Sequence, residues 1–221
     1  MTRQRLLVLG GYALIASFLL SLAGGMLHPV VDGRSHSVAA LTAPGTPWGQ
    51  LLIYAGALAL MFGLPAAYSW LGPRVGVLGF AGFSLYFLGN ALSAQAHLVV
   101  EAMVAPEIAR RAPELIPDDG SIVASPLFGI VQLAGGLVLM AGLLVMGIAL
   151  VRQSVVPRWI GATAIVGALL LATPLPEVAV LTGVQVELLR GITVAALGVY
   201  MIRAVRAGRV DAAPAPVPAA V

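Results

Sequence analysis

Six long apolar stretches, separated by short turns or compact polar loops, fill almost the whole of this 221-residue chain. A run of roughly 20 apolar residues matches a bilayer core about 30 Å thick. In lipid, backbone polar groups must bond within their own segment, so each stretch is expected to be a helix. Composition points the same way. Hydrophobic residues make up 60% of the chain and charged residues 10%, against about 25% charged in a soluble domain. The expected fold class is all-α: a polytopic transmembrane helical bundle of six spans, near 6–27, 48–71, 75–104, 126–151, 159–181 and 184–202. The third is long enough to tilt or to project past the hydrocarbon. Residues 1–206 form this single membrane domain, and the Ala/Pro-rich residues 207–221 are expected to be a disordered cytoplasmic tail.

Charge placement sets an orientation. The 12 basic residues are all arginine, a usage that reads as the codon bias of a GC-rich genome. Arg3, Arg5, Arg74, Arg152, Arg158, Arg203, Arg206 and Arg209 fall on one side of the expected topology, and Arg34, Arg110 and Arg111 on the other. Cytoplasmic loops are the arginine-rich ones, so both termini are expected in the cytoplasm of a multi-pass cell-membrane protein. The first apolar run exceeds a signal-peptide core and is expected to be a retained helix. The arginines sit at helix ends and form no basic stripe, so nucleic acid is not an expected partner. With no cysteine, disulfides, thiolate metal sites and a cysteine nucleophile are excluded.

Lipid tails are as apolar as leucine, so helices in a bilayer associate through close packing of small residues. The 26 glycines fit that need. Gly76, Gly79 and Gly82 in span three, and Gly135, Gly136, Gly142 and Gly147 in span four, are expected packing surfaces. Pro65 in span two, and Pro174 with Pro176 late in span five, should kink or end their helices. The turns Pro73-Arg74-Val75-Gly76 and Pro157-Arg158-Trp159-Ile160-Gly161 echo one another. Either an internal duplication or a shared solution to the same turn accounts for the echo.

The polar residues within the spans carry more information. Counting about 1.5 Å per residue from the arginine-rich side places Arg190 roughly 20 Å up, and Glu187 and Asn90 roughly 24 Å up. Gln132 and Tyr54 come at roughly 30 Å, with His28 and His97 at roughly 35 Å. Glu101 lies higher still. The inner half is apolar and the outer half polar, which suggests a vestibule. Asn90, His97 and Glu101 are spaced to lie within about 40° of one another on an ideal helix. A histidine and a carboxylate one turn apart can share a proton, bind a metal together, or simply pair at an interface. His28 ends span one beside Pro29, which also reads as a plain helix stop. His28 and His97, with Glu101, could ligate haem or a metal. Their spacing matches no metal or haem motif, and His36 falls in a loop, so no cofactor and no metal is expected. Glu187 and Arg190, three residues apart, can pair along span six. Alternatively Arg190 faces inward to hold an anionic group or to tune a catalytic acid.

The stretch from Val156, VPRWIGATAIVGALLLATPLP, and the Leu27-His28-Pro29 end of span one resemble uncharacterised six-helix integral membrane proteins of actinobacteria. The resemblance implies a bacterial inner-membrane bundle and no particular activity.

Three functions are consistent with these residues. The leading one is a membrane protein whose outer-half site binds a small molecule or lipid through His28, Asn90, His97, Gln132 and Arg190. The second is an intramembrane enzyme on an isoprenoid or lipid substrate, of the terpene-cyclase type, with Glu101 or Glu187 as general acid. The third is a non-catalytic accessory subunit whose polar layer meets a membrane-protein partner or a second copy.

Overall fold

The computed structural model describes residues 2–209, without the side chains of Ala96 and His97. The tail from residue 210 onward lies outside the described residues. The fold is all-helical. Helix α1 spans Arg3–Leu27, the one-turn α2 spans Val38–Leu41, and α3 spans Trp48–Leu71. Then come α4 (Gly76–Leu92), two π-helical segments (Ser93–Leu98 and Val100–Val104) and the short α5 (Ala105–Arg111). Helices α6 (Pro126–Arg152), α7 (Arg158–Leu171) and α8 (Leu181–Arg206) complete the chain.

Among the described residues, four helical stretches are long and apolar enough to cross a membrane: Arg3–Leu27, Trp48–Arg111, Pro126–Arg152 and Leu181–Arg206. The second, of 64 residues, folds back on itself. Gly72 and Gly76 take φ of +54° and +57° at either end of the turn Gly72–Val75, a region that side chains with a Cβ rarely adopt. Helices α3 and α4 therefore run antiparallel, with Tyr68 against Phe80 and Phe83 near the turn. Further along, Asn90 Nδ2 donates to the Ala57 carbonyl at 3.0 Å.

The fifth apolar stretch is helical only over Arg158–Leu171, 14 residues or about 21 Å, where a longer span to residue 181 was expected. Pro174 and Pro176 explain the early stop, since proline cannot continue the helical ladder and restricts the residue before it. Gln185 of α8 then caps the end. Its Nε2 donates to the carbonyls of Leu170 and Thr173 at 3.1 and 3.0 Å. Pro65 does not end its helix, because α3 continues through it to Leu71.

The six longer helices close into a ring in which α3, α1, α8, α7, α6 and α4 succeed one another as neighbours, with α4 returning to α3. Glycines set most of these contacts. A Cβ on Gly82, Gly89 or Gly142 would overlap backbone atoms across the α4–α6 interface. The same holds for Gly24 between α1 and α3, for Gly11, Gly198 and Gly183 between α1 and α8, and for Gly147 and Gly161 between α6 and α7, while Gly49 and Gly25 leave only tight contact at 3.0 Å. Gly76 and Gly136 differ from the expected packing role, for a Cβ on either meets nothing within 4 Å.

The interior divides by height. Toward the arginine-rich end, Leu14, Leu64, Leu143, Met146, Ile160 and Leu197 form a fully buried apolar core. Arg3 and Arg206 anchor that end, donating to the Ser69 carbonyl and to the Tyr12 hydroxyl at 3.5 and 3.0 Å. At the opposite end smaller apolar clusters, Leu41, Ala105, Ala109, Ile116 and Ile122 under the outer loops and Ala57, Ala94 and Leu98 between α3 and the first π segment, leave a gap where polar residues gather.

Gly142→Leu is expected to destabilise the bundle by at least the upper part of the about 1–3 kcal/mol typical of overpacking, because the overlap is with backbone. Gly129→Leu, on the same helix with nothing within 4 Å, should stay within about 0.5 kcal/mol. Thermal unfolding of both variants in detergent checks the pair.

Candidate functional site

A cavity of about 420 Å³ lies toward the end of the ring opposite the arginine-rich end, and all six long helices contribute to its wall. Two charged clusters face it. The first joins His28, His36 and Glu101, and the second joins Glu187 and Arg190. Between them the wall is largely apolar, with Ile53, Ala57, Leu98, Leu139, Met140 and Val186.

His28 is the cap residue that ends α1, which aims its ring across the top of the bundle. Its Nε2 lies 2.5 Å from Glu101 Oε1, and its Nδ1 lies 3.1 Å from the Pro29 carbonyl. His36 comes from the loop between α1 and α2. Its Nε2 is 3.4 Å from the same Glu101 oxygen, and its Nδ1 is 2.9 Å from the Gly120 carbonyl. A carbonyl accepts only, so each Nδ1 is the protonated donor and each Nε2 is directed at the carboxylate. The two rings stand edge to face at 6.4 Å.

Glu101 is fully buried, at 0% exposure, and sits in the second π-helical segment. A π turn bonds i to i+5 and is frequent at functional sites. The α-helical phase that would align Asn90, His97 and Glu101 does not hold through this stretch, yet Asn90 and Glu101 both line the cavity. His97 belongs to the first π segment. Its side chain lies outside the described residues. Burial acts to lower both other histidines, but the hydrogen bond and charge of Glu101 outweigh it and hold His28 and His36 above the usual imidazole range.

Three outer loops meet over this cluster. The Ser35 backbone N–H donates to Glu177 Oε2 at 2.6 Å, which ties the first loop to the α7–α8 connection. His36 to Gly120 ties the same loop to the α5–α6 connection. Glu177 itself reaches the cavity wall.

The second cluster lies deeper. Arg190 Nε donates to Glu187 Oε2 at 2.8 Å, and Nη2 reaches both carboxylate oxygens. Tyr86 and Asn90 lie beside this pair. Arg190 pairs with Glu187 and also borders the cavity.

Of the expected site residues, His28, Asn90, Glu101, Glu187 and Arg190 converge on one cavity. Gln132 and Tyr54 are not among the residues that line it. His36 was set aside as a loop residue, yet it completes the histidine–glutamate cluster. A weak signal existed, since His36 is one of only three histidines in a chain with few charges.

The chain matches no known protein family, no curated protein and no solved structure.

Removing one member of a buried ion pair strands the other charge and costs about 3–5 kcal/mol, while replacing both by apolar residues is often neutral. Arg190→Leu is therefore expected to destabilise strongly and the Glu187→Leu/Arg190→Leu double variant to recover most of the loss. Thermal unfolding of the two single variants and the double variant, as a double-mutant cycle, measures the coupling.

Proposed function

We propose that this chain is a six-span bacterial inner-membrane protein, both termini cytoplasmic, whose outer-half cavity binds an amphiphilic small molecule or lipid. The carrying observation is a single cavity with apolar walls and two fixed polar clusters. Its volume of about 420 Å³ falls within the roughly 300–1,000 Å³ range of small-molecule sites. An apolar chain suits the walls of Ile53, Leu98, Leu139 and Met140, and a polar headgroup suits either cluster. The antiparallel turn at Gly72–Val75 and the arginines at one end support the six-span topology and its orientation. The resemblance of the stretch from Val156 to actinobacterial six-helix proteins supports the bacterial setting.

Binding is favoured over the accessory-subunit reading by where the polar residues lie. A partner-binding surface would turn them outward, whereas Asn90, Glu101 and Glu187 are buried. It is favoured over acid catalysis by Glu187 because both oxygens of that carboxylate are engaged by Arg190.

Gly136 offers a clean test. It lines the cavity, and a Cβ there meets nothing within 4 Å, so Gly136→Leu reduces the space without disturbing helix contacts. Native mass spectrometry of the detergent-purified protein should find a co-purifying lipid or amphiphile. Gly136→Leu should weaken its retention about tenfold, equivalent to about 1.4 kcal/mol, at unchanged melting temperature. Equal retention by both proteins, or none by either from total lipid extract, removes the binding reading.

A further inference from the structure

We infer that His28, His36 and Glu101 form a binding site for one divalent first-row transition-metal ion of the zinc class, at the outer wall of the cavity. This goes beyond the amphiphile reading and does not depend on what fills the cavity.

Three observations carry it. First, the donor set is right. One ligand atom from each of the three residues lies within 4.8 Å of the other two. Two imidazoles and a carboxylate suit zinc and its neighbours, whereas magnesium and calcium favour all-oxygen shells. Second, the ligand atoms already stand close to the required spacing. Bonds of about 2.0–2.2 Å in a tetrahedral shell place ligand atoms about 3.4 Å apart. His36 Nε2 and Glu101 Oε1 are 3.4 Å apart. The His28 Nε2 contact at 2.5 Å needs to open by somewhat under 1 Å, which a small ring rotation at a chain end provides.

Third, the surroundings of the ligands are those of a metal centre. Metal-bound histidine characteristically donates its other ring N–H to a carbonyl or carboxylate, which fixes the tautomer and the ring plane. Both histidines do this independently, on carbonyls from different loops: Pro29 for His28 and Gly120 for His36. The buried Glu101 supplies one negative charge beside a largely apolar cavity wall. A dication there offsets the cost of burying the carboxylate, with neutral imidazoles as the other ligands.

With three protein ligands, a tetrahedral ion keeps one position open. The three residues line the same cavity, so that position can be taken by water or by an oxygen of the ligand's headgroup. The ion would then act as an orienting point for an anionic or carbonyl-bearing group, with the Glu187–Arg190 pair on the wall below.

The test uses the full chain in detergent, with any polyhistidine tag removed and the metal stripped by chelator. Cobalt(II) is titrated first as a spectroscopic probe, followed by zinc. The expected result is one ion per chain, intense visible absorption of four-coordinate cobalt, displacement by zinc, and no displacement by excess magnesium. His28→Gln, His36→Gln and Glu101→Gln should each weaken binding at least as much as the about 10–100-fold cost of losing an outer partner. Glu107→Gln, on the exposed face of α5 and outside the cavity wall, should leave it unchanged. Failure of the wild-type chain to bind one cobalt or zinc ion saturably overturns the inference, as does binding that survives in folded His36→Gln or Glu101→Gln protein. The wild-type titration decides the matter even where a variant fails to fold. A cavity that still retains its amphiphile in metal-stripped protein would leave the binding reading standing while this one falls.

Discussion

Close backbone contact between helices is the constraint on which the rest of this structure depends. Apolar side chains gain little by leaving lipid for one another, so cohesion must come from dense packing at short range. Glycine supplies that range here, at the α1–α3, α1–α8, α4–α6 and α6–α7 crossings. With these neighbours pinned, the ring closes, and its width at each height follows from what the helices carry. Leucine, methionine and isoleucine fill the arginine-rich half. In the other half glycine, alanine and polar groups interrupt the apolar inward positions, and a cavity remains.

That cavity holds charge in a setting where charge is costly. Ionisable groups within membrane spans are rare, inward-facing and paired, and they mark functional positions. Both charged clusters obey this pattern. Glu187 and Arg190 satisfy each other along one helix, which lets α8 carry both at depth. Glu101 draws its partners from elsewhere, one at the end of α1 and one in a loop. The first pair is a local solution to insertion, whereas the second exists only when several segments have come together. Convergence of this kind is difficult to explain by the needs of helix insertion alone, and it is the reason functional weight falls on the histidine–glutamate cluster.

The chemistry is concentrated in irregular backbone. Glu101 rides on a π turn, His28 on a helix stop, His36 on a loop, and Glu177 on the non-helical connection left when α7 ends early. Irregular backbone exposes polar groups that lipid cannot satisfy, so it is tolerated only where protein or a cavity receives them. Here the loops satisfy one another: Ser35 bonds Glu177, and His36 bonds Gly120. The short α7 contributes by freeing the segment that carries Glu177, with Gln185 taking up the carbonyls left at its end.

The apolar runs by themselves determined the helical class, because run length and composition decide whether a segment can sit in lipid and the bilayer forces the backbone into helices. Local pairings were equally legible. Glu187 and Arg190 are three residues apart, the Pro-Gly turn after Leu71 reverses the chain, and Pro174 stops α7, all through forces that act within a few residues. The height scale also separated an apolar half from a polar half, since helical rise is fixed. Only the tertiary structure decided which polar residues meet. Helix rotation about its own axis depends on where glycines of neighbouring helices touch, and this turned Asn90 and Glu101 into the cavity and left Gln132 off its wall. The π segments altered a phase that α-helical counting takes as constant. The scarcity of histidine marked His36 only weakly, and nothing along the chain relates it to Glu101, 65 positions further on. Their meeting is a property of the closed ring and the loops that fold over it.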